Sequence, residues 1–307
     1  MRMRLGNLRI SLDFAGPSSF STFEISEANR TQLSDRWSPL PLAPDPSLQA
    51  QVTVRGATKP SMYETAQKIL FDHGIAVIPD FIPRSIVNAV REEADQLSQM
   101  ESNSNTSVSP NQRIAIEYDD TISYTALAKR KHATMVIRSG SDNGMRDVFN
   151  FEAFSHKAGR DLLTKLKTPA LMPMLLQERR VASLTNLNLY INSGVTATRM
   201  FHVDSYDTHQ TKAFVYMTDV NDVTDGPYTY VLGSHVDGPW RRLNQAITAC
   251  GSGFHPTDAP LVDPTQILPI LAPAGSLIIS NQNGFHRGYP QKMGGYRVVA
   301  VLNTLAR

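Results

Sequence analysis

From Val181 onward the sequence is a succession of short runs rich in β-branched and aromatic residues, several of them alternating apolar with polar. A period of two puts successive side chains on opposite faces of a strand, so these runs predict strands. They cover residues 185–191, 212–217, 228–232, 276–280 and 296–302. Turn formers separate them, at Asp225-Gly226-Pro227, Pro273-Ala274-Gly275 and Gly294-Gly295. Short strands punctuated in this way predict a sandwich or barrel.

The first half reads differently. Tyr63, Ala66, Ile69, Leu70 and His73 recur at helical spacing, with Gly74 as a stop. A short strand follows at 75–78. A second helix is expected from Arg84 to about Met100, with Ile86, Val87, Val90, Ala94 and Leu97 on one face. Further helices are expected at 157–168 and 172–179, and polar, aperiodic loops at 101–112 and 139–144. Helices first and strands later give an α+β class with a β core.

Residues 1–60 read as an N-terminal extension to a domain over 61–307. One strand is expected at roughly 7–14, where Leu8, Ile10, Leu12 and Phe14 alternate with polar residues. A Gly-Pro-Ser-Ser turn follows it, and then a Pro-rich run from Trp37 to Pro46 that should be extended and surface-lying. The alternation at 8–14 is a strand pattern rather than the apolar core of a signal peptide. No stretch approaches the ~18 apolar residues of a membrane span. The expectation is a cytoplasmic protein without membrane partners.

With 41% hydrophobic and 19% charged residues in 307, a packed core is feasible. A net charge of +2 is too small to argue for nucleic acid. The single cysteine, Cys250, cannot form an internal disulfide or a cysteine-based metal site.

The candidate chemistry lies in Phe201-His202-Val203-Asp204. In extended chain His202 and Asp204 point to the same side and can offer an imidazole and a carboxylate to one ion. His286 is the best candidate for a third ligand. Two histidines and a carboxylate on one face of an octahedral ion leave three positions open, the arrangement of non-haem Fe(II) oxygenases. An α-keto acid can fill two of these and O2 the third. A keto acid with a second carboxylate also needs a cationic anchor. Arg297 follows His286 by eleven residues, beyond a turn, and a guanidinium can hold a carboxylate through two parallel hydrogen bonds.

Taken in order, these motifs resemble the phytanoyl-CoA dioxygenase-like branch of the Fe(II)/2-oxoglutarate oxygenases, over roughly residues 61–305. Asp72-His73-Gly74 with the strand to Ile78 and Pro79-Asp80-Phe81-Ile82 is similar to that family's N-terminal entry. Asp225-Gly226-Pro227 with Gly233-Ser234-His235, and Ala274-Gly275-Ser276-Leu277 with His286 and Arg297, are similar to its later motifs. The resemblance implies a double-stranded β-helix, a cupin-like jelly roll, flanked by N-terminal helices. It implies Fe(II) on His202, Asp204 and His286, and 2-oxoglutarate on Arg297 with Asn188 as a polar contact. It also implies O2 as oxidant and a small-molecule substrate oxidised at a C–H bond with release of succinate and CO2. Halogenating relatives replace the carboxylate ligand by a small residue, so Asp204 implies hydroxylation or a related oxidation. Two alternatives remain: a metal enzyme of the same fold that does not use 2-oxoglutarate, and a non-catalytic small-molecule binding barrel.

Tyr190, Asn283, Lys212 and Arg287 are candidate substrate contacts, although a solvated edge charge is the plainer reading of Lys212. His235 is a weaker rival for the third ligand position. His209 reads as a surface histidine, and His73, His132, His156 and His255 lack ligand spacing.

Overall fold

A computed structural model describes residues 2–5, 8–11, 34–56, 59–99, 114–117, 124–130, 133–138, 142–155, 157–176, 182–250 and 253–306. The loop expected at 101–112, the turn at 16–19, residues 139–141 and 177–179, and His132 and His156 lie outside them.

The strands are β1 (Arg2–Leu5), β2 (Leu8–Ser11), β3 (Ile75–Ile78), β4 (Ile114–Glu117), β5 (Thr134–Ile137), β6 (Met145–Phe149), β7 (Ala182–Ser193), β8 (Thr211–Tyr216), β9 (Tyr228–Val231), β10 (Ile267–Pro269), β11 (Leu277–Asn281), β12 (His286–Gly288) and β13 (Tyr296–Ala306). Eight of them form one sheet in the order β3-β11-β8-β13-β7-β6-β5-β4, and β10-β9-β12 form a second. β1 and β2 pair only with each other. The two main sheets share a buried layer that includes Ile75, Val77, Phe214, Tyr216, Tyr230, Leu268, Ile278, Val299 and Val301. This is the jelly-roll core the sequence led us to expect.

The helices are α1 (Pro46–Val52), α2 (Lys59–His73), α3 (Arg84–Ser98), α4 (Tyr124–Ala128), α5 (Phe151–Phe154), α6 (Ala158–Leu166), α7 (Met172–Leu176) and α8 (Pro239–Ala249). In α3, Val87, Val90, Ala94 and Leu97 make the buried stripe. They share a core with Leu162 and Leu166 of α6 and with Leu187, Leu189, Ile191, Ala213, Val215, Leu277, Ile279, Val298, Ala300 and Leu302 of the large sheet. Each valine, leucine or isoleucine among them contributes about 1.5–3 kcal/mol when fully buried.

Strand parity therefore divides the large sheet. Odd residues of β7, β8 and β11 and even residues of β13 face the helices. The opposite parity faces the second sheet: Asn186, Asn188, Tyr190 and Asn192 on β7, Lys212, Phe214 and Tyr216 on β8, and Arg297, Val299 and Asn303 on β13. In the register of β7 and β13, Arg297 pairs with Asn192, Val299 with Tyr190, Val301 with Asn188 and Asn303 with Asn186. A polar row thus lines the inside of a barrel whose outer face is apolar.

The Pro-rich run differs from its extended reading at its C-terminal end. Pro46 opens α1, where a missing N–H costs nothing, and the Asp45 side chain accepts from Ser47 N at 2.7 Å. Leu48 and Val52 of α1 join the layer between the sheets. The alternation of 8–14 appears as β2, of which residues 12–14 lie outside the described set. Strands β4–β6, β10 and β12 were not read from the sequence, nor was helix α8, although it is as amphipathic as α3. No described helix is long and apolar enough to cross a membrane.

Candidate metal centre

Residues 201–204 form a short extended bridge between two segments. His202 N donates to His286 O at 3.0 Å and His286 N donates back to His202 O at 2.9 Å. On the other side Val203 N donates to Thr257 O and Ala259 N to Phe201 O. Asp204 N donates to Gln282 O. Phe201 and Val203 are buried against Val231, Val262, Ile267 and Phe285. That apolar anchor turns His202 and Asp204, of opposite parity, into the cavity. The two histidines are thus paired directly through the main chain, although they lie far apart in sequence.

The side chains converge. One ligand atom from each of His202, Asp204 and His286 lies within 4.8 Å of the others, and no other such set occurs among the described residues. The imidazole centroids are 4.5 Å apart, and His286 Nε2 is 3.6 Å from Asp204 Oδ1. Each imidazole places Nδ1 at 2.9 Å from a carbonyl oxygen, Met200 O for His202 and Gly284 O for His286. A carbonyl only accepts, so Nδ1 carries the proton and Nε2 presents its lone pair. Such orienting hydrogen bonds are usual behind metal-ligating histidines. Gly284 must stay a glycine, because a Cβ there would overlap the Tyr230 hydroxyl, which itself donates to Asn281 O at 2.9 Å.

The electrostatics favour the ligand forms. Burial, with Arg199 and His286 nearby, holds the His202 imidazole well below its usual range and keeps it neutral. Burial pushes the Asp204 carboxyl up, but the charge of Lys212 leads the contacts that outweigh it and hold it well below the usual carboxylate range. Two Nε2 lone pairs beside an ionised carboxylate fit a divalent cation.

The triad opens on a cavity of about 1090 Å³ between the two sheets. Arg297 lines it from β13. Its Nη1 donates to Gly226 O, and the Asn192 side-chain oxygen, in the orientation that satisfies both groups, accepts from Nε at 3.1 Å and Nη2 at 2.6 Å. Among the described residues Arg297 has no carboxylate partner. Burial lowers its basicity and the neighbouring Tyr216 opposes this. An enclosed guanidinium without a counter-ion, across one cavity from a ligand triad, fits a ligand that carries a carboxylate.

The remaining candidates separate. Asn188 and Tyr190 line the cavity, and Asn188 Oδ1 accepts from Asn186 Nδ2 at 2.6 Å. Lys212 also points inward, with Nζ 2.6 Å from Asp204 Oδ2 and a side chain only 17% exposed, so it is not a solvated edge charge. Arg287 reaches the cavity wall, but its guanidinium pairs with Asp35 and donates to Thr198 Oγ1 at 3.1 Å, over the Phe201 ring. Asn283 fastens the loop after Asp204, donating to Ser205 O and Thr208 O and accepting from Gln210 N. His235 bonds to Phe71 O, outside the triad. His209 is exposed. Asn186, Asn192, Tyr216, Tyr228, Gln282 and Asn303 also line the cavity and were missed. Strand parity was the signal that could have found those on β7, β8 and β13.

Fold and site together define a jelly-roll barrel with a two-histidine, one-carboxylate centre at its mouth. No family model matches the chain, and no curated protein matches it. Among solved structures it is similar to the epimerase SnoN in complex with Fe3+, alpha ketoglutarate and nogalamycin RO. That likeness has 16% identity and a TM-score of 0.50, and covers 80% of this chain and 84% of the other. HygX from Streptomyces hygroscopicus with nickel and 2-oxoglutarate bound aligns at 15% identity and a TM-score of 0.48, over 81% of this chain and 87% of that one. The SnoN likeness shows the fold alone: this chain shares its barrel architecture with a structure described as a non-heme alpha ketoglutarate dependent epimerase.

Proposed function

We propose that the chain is an Fe(II)- and 2-oxoglutarate-dependent oxygenase acting on a C–H bond of a small-molecule metabolite, with hydroxylation as the outcome and the cytoplasm as its location. The observation that carries this reading is the pairing, across one cavity, of the His202–Asp204–His286 set with Arg297, a guanidinium lacking a carboxylate partner among the described residues.

In this reading His202, His286 and Asp204 hold Fe(II), and Arg297, backed by Asn192 and Tyr216, holds the distal carboxylate of 2-oxoglutarate. Bound iron and keto acid together supply, with O2, the oxidising power to remove hydrogen from an unactivated C–H bond, releasing succinate and CO2. The chain's own task is orientation and exclusion of water. Met200 O and Gly284 O fix the imidazole tautomers. Phe214, stacked on Tyr228 at 4.7 Å, forms an apolar wall beside His286. The amides of Asn186, Asn188 and Asn303 offer donors and acceptors to a substrate.

Anaerobic addition of Fe(II) and 2-oxoglutarate should produce a weak visible charge-transfer band that disappears in Arg297→Met and His202→Ala. A protein that binds metal but gives no band would favour the metal enzyme that uses no keto acid. SnoN is an epimerase, and inversion at carbon also begins by removing hydrogen. Product analysis in 18O2 separates the outcomes: a hydroxylated product carries the label and an epimer does not.

A further inference from the structure

The inner surface of the large sheet has two chemically different ends, and the proposed oxygenase function places an ionic anchor at only one of them. At one end Arg297 pairs with Asn192, and at the other Asn303 pairs with Asn186. Tyr216 is level with Val299 and Phe214 with Val301, so Lys212, two residues before Phe214, stands at the Asn186–Asn303 end. By the same register Arg297 is level with residue 218. Lys212 and Arg297 are thus offset by six residues of strand, about 20 Å at ~3.3 Å per residue. The triad stands between them. Phe214 stacks on Tyr228, whose ring is 5.7 Å from that of His286. A co-substrate anchored on Arg297 therefore approaches the triad from one side and leaves the Lys212 side for the substrate.

The charges single out Lys212. Arg138 is paired with Asp147, Arg199 with Asp258 and Arg287 with Asp35, and none of these carboxylates belongs to the triad. Among the described lysines and arginines, Lys212 alone takes its counter-ion from the triad, through Asp204 Oδ2 at 2.6 Å. A carboxylate committed to a divalent cation is no longer a full counter-ion for a neighbouring ammonium. An ammonium this enclosed, with its side chain 17% exposed, is costly without one. Resting on the proposed function, we propose that Lys212 changes partner: it holds Asp204 in the metal-free protein and binds an anionic group of the substrate in the loaded one. The substrate class is then an organic anion, presented to the triad from the Asn186–Asn303 end. The metal-binding carboxylate of 2-oxoglutarate is the other source of such a charge, and the test separates the two.

Full-length wild type, Lys212→Met and Lys212→Arg are compared, with circular dichroism to establish that all are folded. Mn(II) affinity is read from the electron paramagnetic resonance of the free ion. The Met variant should bind Mn(II) about tenfold more tightly, through loss of an internal competitor for Asp204, and the Arg variant within about threefold of wild type. Equal or weaker binding by the Met variant overturns the exchange. With Mn(II) and 2-oxoglutarate saturating, acetate and sulfate are then titrated and the thermal midpoint followed. A saturable rise in wild type that is absent in the Met variant supports the anion subsite. No rise in wild type, or the same rise in both, overturns it. A loss of 2-oxoglutarate affinity greater than about tenfold in the Met variant assigns the lysine to the co-substrate and overturns the substrate assignment. If wild type binds neither Mn(II) nor 2-oxoglutarate, the proposed function fails. If it binds both and the anions do not register, only this inference fails.

Discussion

Asn192 and Arg297 are register partners on β7 and β13, and the asparagine oxygen meets the guanidinium at both Nε and Nη2, 3.1 and 2.6 Å away. The bond fixes the guanidinium on the cavity wall. Arg297→Met should weaken 2-oxoglutarate binding by more than about a hundredfold, and Asn192→Ala by about tenfold, as expected when a hydrogen bond to a charged group worth ~1.5–3 kcal/mol is lost. Mn(II) affinity should stay within about twofold of wild type in both. Calorimetric titration of each ligand checks this, and an unchanged 2-oxoglutarate affinity in Arg297→Met would remove the arginine from the site.

The tautomer-fixing carbonyl behind His286 belongs to Gly284, where no side chain fits beside Tyr230. Gly284→Ala should move that carbonyl and weaken Mn(II) binding by about tenfold, the lower end of the loss seen when a ligand's outer support is removed. His202→Ala, which deletes a ligand outright, should cost considerably more. Metal titration by paramagnetic resonance ranks the two.

Arg287 is 1% exposed and depends on Asp35, whose side chain is 43% exposed, for its counter-ion. Asp35→Ala leaves a buried guanidinium uncompensated. The exposure of the partner reduces the cost below that of a fully buried pair, to about 1–3 kcal/mol. Urea denaturation should show a lowered midpoint with an unchanged slope. Asp35→Glu should recover part of the loss.

Asp147 supplies a pH signature. Burial raises its carboxyl to about 6, with Arg138 and Lys212 opposing and Asp142 adding to the rise. A folded-state value above the unfolded one favours the protonated acid in the folded protein. Its stabilisation is complete below the ordinary carboxyl value of 3.8 and is lost as pH rises through about 6. The loss is of the order of 2–3 kcal/mol. The stability difference between wild type and Asp147→Asn should therefore change across pH 4–7 in that direction, with the Asn variant gaining on wild type as pH rises. A difference independent of pH would contradict the burial of an unevenly bonded carboxyl.

His202 and Asp204 were legible as a facing pair because their spacing is local, whereas His286 was singled out only by the order of the motifs and the family they resemble. Residues two apart in extended chain must face together, and a histidine and an arginine one hairpin apart complete the pattern. The strands bearing Asn188, Lys212 and Arg297 were legible for the same reason. What could not be read is the pairing between distant segments. Nothing near Arg287 announces that Asp35 will neutralise it, and nothing near Asn283 announces that it will fasten the chain at 205–210. Helix α1 was misread because proline was taken as a sign of extension, whereas Asp45 before Pro46 is equally a helix start. Lys212 was taken for an edge charge because it follows a loop and opens a strand. With β11 on one side and β13 on the other, it lies in the middle of the sheet.

The division of β7, β8 and β13 into a helix-facing side and a cavity-facing side has an evolutionary consequence. Leu187, Leu189 and Ile191 are answerable to the packing of helices, while Asn186, Asn188 and Tyr190, interleaved with them, also face what enters the barrel. Substrate preference can therefore drift by single substitutions on one side of a strand while the scaffold's stability is maintained by the other. For directed evolution, libraries confined to positions 186, 188, 190 and 303 should sample new chemistry at little risk to folding.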